Sequence, residues 1–83
     1  MTTESLMDAL IESGWLVIKS GFDETYFRFW AQNAKDCLDF VFGQDSIYSQ
    51  HFRRLIQEYS RQHFFAAVLL LGQIRLIFGV YDF

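Results

Sequence analysis

The chain reads as an all-α protein, a compact four-helix bundle with a central, almost wholly apolar C-terminal helix. Three observations predict it. Apolar residues recur at three- and four-residue steps in four successive segments, the spacing that lines one face of a helix. Gly21, Gly43 and the polar stretch from Ser60 to His63 separate those segments, and no proline interrupts any of them. The composition, 52% hydrophobic and 19% aromatic, is too rich in apolar surface for a disordered chain. At 83 residues the polypeptide forms one domain, 1–83, of a size that buries only about 60% of the surface its unfolded form exposes. Helices are expected over about 4–20, 23–42, 46–60 and 63–78.

In the first segment Leu6, Leu10, Gly14, Val17 and Ile18 share a face, with Met7 and Ile11 beside them, while Glu4, Asp8 and Glu12 form an acidic line. Gly14 costs about 1 kcal/mol relative to alanine inside a helix. It therefore marks either a close helix crossing or a break into a strand over 15–18, and the close crossing is favoured. The second segment begins at Asp23, a suitable N-cap, and carries Phe27, Trp30, Ala34, Leu38 and Val41 as its core stripe. Tyr26, Phe29, Phe40 and Phe42 fall outside that stripe. One small core has little room for four more aromatic rings, so they are candidates for a contact with another chain.

Gly43 supplies a left-handed residue to close the second helix, and Asp45 or Ser46 caps the third after a short turn. Tyr48, Phe52, Leu55, Ile56 and Tyr59 are expected to face inward, with Gln50, Arg54, Gln57 and Arg61 outside. That outer line makes Arg54 and Arg61 further partner-binding candidates and a complement to the acidic first helix. In the fourth segment the run from Phe64 to Phe78 is interrupted only by Gln73 and Arg75 among large polar residues. A helix apolar all round must be covered on every side, either by protein or by lipid. Fifteen residues fall short of the roughly 20 that span a bilayer, and Arg75 sits among them, so a protein covering is expected.

Little catalytic chemistry is visible. His51 and His63 have no carboxylate or thiol at metal-ligand spacing, and Cys37 is a lone thiol suited to packing. The intervals from Arg54 and Arg61 to His63 do not match an Arg/His ribonuclease pair. Asp36 with Asp39, and Asp23 with Glu24, are paired carboxylates in name only, the latter two sitting at a helix start where negative charge is favourable. No phosphate loop, nucleophile elbow or dinucleotide fingerprint occurs. A net charge of −3 lacks the basic excess that nucleic acid requires. No catalytic, cofactor or metal residue and no small-molecule substrate is therefore assigned. Glu4, Asp8 and Glu12 populate a beginning unlike a signal peptide, so a cytoplasmic protein is expected.

The run Trp30, Ala34, Leu38, Phe42-Gly43, Asp45-Ser46, Tyr48 and Phe52 resembles a helical N-terminal domain of bacterial and archaeal phage-defence proteins. In those proteins the domain precedes nucleotide-binding or TIR-type effector modules. The resemblance spans about residues 22–60 and implies an oligomerising or partner-sensing role, with no catalytic residue to carry over. The expected function is a non-enzymatic protein-interaction module acting as a homodimer, a regulatory component of a bacterial defence system. The alternative is a phage-encoded inhibitor that occludes a host defence enzyme.

Overall fold

A computed structural model describes residues 2–81, with side chains through residue 79. Four helices follow one another: α1 (Thr3–Lys19), α2 (Glu24–Phe42), α3 (Ile47–Leu55) and α4 (Arg61–Tyr81). Each packs on its neighbours in the chain, and α4 closes the ring by lying along α1, its most extensive partner. The radius of gyration is 12.1 Å, close to the roughly 12 Å expected of a compact chain of this length.

Local signals set the helix ends. The hydroxyl of Thr2 accepts from the Ser5 N–H, the Asp23 carboxylate accepts from Thr25 and Tyr26, and Ser46 accepts from Ser49. Gly43, at φ +88°, ends α2 with its N–H on the Asp39 carbonyl. At the end of α1, the Gly21 N–H bonds to the Ile18 carbonyl and the Phe22 N–H to the Val17 carbonyl, the paired closure of a Schellman turn. Phe22 itself sits at φ +58°. A phenylalanine pays about 1–2 kcal/mol for that conformation, and aromatic packing offsets it. Its ring stacks on Tyr59 at 4.9 Å and meets Phe27 and Phe64 at 5.7 and 5.6 Å.

The core joins Met7, Leu10 and Val17 of α1, Phe27, Trp30, Ala34 and Leu38 of α2, Phe52 of α3, and Phe64, Ala67, Leu71 and Ile74 of α4. Trp30 lies at its heart. Its indole N–H donates to the Leu10 carbonyl at 2.8 Å, and a Cβ on Gly14 would lie 3.4 Å from the indole ring. Gly14 is thus a close crossing within a continuous helix, with no break at Trp15.

The structure departs from the sequence expectations in five places. The third helix stops at Leu55, well short of 60. Tyr59 leaves the helical path to stack on Phe22 and donate its hydroxyl to the Phe22 carbonyl, and Ser60 then caps α4 by accepting from the His63 N–H. Val41, expected in the core, is exposed, whereas Phe42 is half-buried against Tyr48 and Phe78 at 5.0 and 5.2 Å. Phe42 is therefore an internal contact and not an open partner-binding residue. The acidic line of α1 pairs with α4, not with α3: Arg75 bonds to Asp8 and lies 3.1 Å from Glu4. Finally, α4 occupies a corner of the ring and begins two residues early. Its 21 residues remove the length argument against a bilayer span, and the stretch Arg61–Gly79 is long and apolar enough to cross one.

Candidate interaction surface

Exposed apolar residues occur on all four helices, with Ile47 alone on α3 and the larger groups on α1, α2 and α4. On α2 the outward row is Tyr26, Phe29, Asn33, Asp36 and Phe40, opposite the buried Phe27, Trp30, Ala34 and Leu38. Phe29 is 80% exposed and Phe40 91%. Eleven residues of helix hold them on one face but about 16 Å apart. Tyr26 and Phe29 join Leu16 and Val17 of α1 in a shallow groove, whereas Phe40 and Val41 border a separate hollow with Thr2, Thr3 and Leu6.

Of the sequence-derived contact residues, Tyr26 and Phe29 are thus adjacent and Phe40 stands apart. Phe42 is inside. The two arginines do not join them. The Arg61 guanidinium lies 5.0 Å over the Phe22 ring, where it covers the aromatic cluster. Arg54 is exposed on α3, and its side chain has no ion pair or hydrogen bond among the described residues.

Sequence reasoning missed Trp15 and Leu16, exposed on α1, and treated α4 as uniformly covered. One side of α4 is buried through Phe64, Ala67, Leu71 and Ile74. The opposite side presents Phe65, Leu69 and Leu76, of which Leu69 is 67% exposed and Leu76 66%. Trp15 extends this face beside Phe65 and Val68. The signal was present as a four-three-four spacing within the apolar run, but polarity could not show it because both sides of the helix are apolar.

The titratable groups have structural tasks. Asp39 of α2 bonds Lys35 at 3.0 Å and has Arg53 of α3 at 4.0 Å. Burial acts to raise its carboxyl, but the hydrogen bond from Lys35 and the charges of Lys35 and Arg53 prevail and hold it low. Asp39 Oδ1 and the buried Ser49 Oγ each lack a hydrogen-bond partner among the described residues. Burial, with the negative charge of Asp36, pushes the Cys37 thiol up and away from thiolate reactivity. Arg75 is held protonated by its bond to Asp8.

His63, Ser60 and Glu58 come together, with His63 Nδ1 2.6 Å from Ser60 Oγ and 3.6 Å from Glu58. Both contacts fall on the same ring nitrogen. A serine relay needs hydroxyl and carboxylate on opposite nitrogens, and Ser60 is engaged as the cap of α4. No group of three or more metal-ligating side chains occurs among the described residues. No family model, curated protein or solved structure matches the chain.

Proposed function

We propose that this chain is a non-enzymatic, cytoplasmic protein-interaction module that acts by self-association. The observation that carries this reading is the quality of its surface. The total of 5368 Å² is close to the roughly 5,200 Å² expected of a compact 9.8 kDa monomer, so the fold is not loose. Yet Trp15, Phe29, Phe40, Leu69 and Leu76 each leave half or more of the residue exposed. Soluble monomers rarely keep contiguous apolar faces open, and aromatic residues dominate the energetics of protein contacts. The resemblance over residues 22–60 supports a regulatory, oligomerising role in a bacterial defence system.

Sedimentation equilibrium tests the reading. Twice the chain mass at micromolar concentration is expected. A monomer at all concentrations would overturn self-association, and one that also captures no protein would overturn the interaction role.

A further inference from the structure

Two apolar faces remain once the bundle is closed, and charge distinguishes them. The α2 row interleaves Phe29 and Phe40 with Asn33 and Asp36, so a second copy laid along it would bring carboxylates toward each other. The α4 row has no charged member. Phe65, Leu69, Gly72 and Leu76 follow steps of four, three and four, the 3.5-residue period of a coiled-coil seam. On its flanks Gln62 and Gln73 are neutral and Arg75 is paired within its own chain by Asp8 and Glu4, while the charges of Arg61 and, on α1, Glu12 lie at the end of the row and beside Trp15. A twofold pairing on α4 therefore sets no charged row member against its copy.

Size and shape agree. The exposed parts of Trp15, Phe65, Leu69 and Leu76 amount to about 500 Å², the larger part of the roughly 800 Å² per partner in a standard stable interface. Nothing lies within 4 Å of the position a Cβ on Gly72 would take, so the middle of the seam is open to an incoming side chain. A parallel pairing would set Gly72 against Gly72 and leave that layer empty, a costly void. An antiparallel pairing fills it, seating each Leu69 over the opposite Gly72 and each Phe65 against the opposite Leu76. It also opposes the two helix dipoles.

Resting on the self-association reading, we propose that two copies of this chain pair antiparallel along the Phe65–Leu69–Gly72–Leu76 seam of α4. Leu69→Glu and Leu76→Glu alter exposed side chains and leave the core untouched, so the far-UV spectrum is expected to stay helical. Each is expected to weaken dimerisation by about 30-fold or more, the scale of losing a central contact. Phe29→Glu leaves the mass unchanged.

Register is read by crosslinking in a Cys37→Ser background. The double variant Leu69→Cys/Gly72→Cys is expected to form disulfide-linked dimers on oxidation, and Leu69→Cys alone is not. Ready crosslinking by Leu69→Cys alone would overturn the antiparallel arrangement. A wild-type dimer that survives both α4 substitutions but is lost in Phe29→Glu would overturn the α4 seam while leaving self-association standing. A monomeric wild type would overturn both, whether it stays inert or binds vesicles of phosphatidylcholine and phosphatidylglycerol.

Discussion

At Gly14 the backbone of α1 faces Trp30 and Phe64 with room for one methyl group. A Cβ at this site would sit 3.4 Å from Trp30 and 3.5 Å from Phe64, ordinary contact distances. Gly14→Ala is therefore expected to be neutral or to stabilise by up to about 1 kcal/mol through helix propensity, whereas Gly14→Leu should destabilise by about 1–3 kcal/mol or more by overpacking. Urea unfolding distinguishes the two. Asp39 gives a second test at this scale. Its folded carboxyl titrates below the unfolded value near 3.9, so its stabilising contribution is complete above that pH. The contribution is lost as pH falls below the unfolded value and through the folded one. Thermal melts of wild type and Asp39→Asn should accordingly differ at pH 7 and converge in the acid range below about pH 4.

Between α1 and α2, the Schellman turn depends on Gly21 at φ +83°, and its Cβ would meet nothing within 4 Å. Gly21→Ala therefore isolates backbone strain from steric clash and should cost about 1–2 kcal/mol, seen as a lower urea midpoint at unchanged slope. The helices themselves were largely legible in sequence. Asp23, Gly43 and Ser46 are local cap signals, and the stripe Phe27, Trp30, Ala34 and Leu38 follows helical spacing. The end of α3 was not legible, because Tyr59 continues the inward spacing from Phe52 and Leu55. What ends the helix is a distant attraction: the Phe22 ring and carbonyl, brought near by the α1 turn, hold Tyr59 off the helical path. The partner of Arg75 was hidden for a similar reason, since 67 residues separate it from Asp8.

For the whole molecule, a closed core with open apolar faces would make the proposed association part of stability. If only the dimer covers the α4 face, the melting temperature of wild type should rise with protein concentration, and that of Leu69→Glu should not. A concentration-independent melt for both would argue against coupled association. The candidate surface was only partly legible: Tyr26, Phe29 and Phe40 stand out by falling off the core stripe of α2, whereas Phe42 looked equivalent and is engaged by Tyr48 and Phe78. By itself the sequence determined the all-α class, the caps of α2 and α3 and the α2 stripe, because each depends on residues within a few positions of one another. Only the tertiary structure decided which side of α4 is covered. In a helix apolar all round, periodicity cannot choose a buried face, and the choice falls to the neighbours that α1 and α3 bring against it.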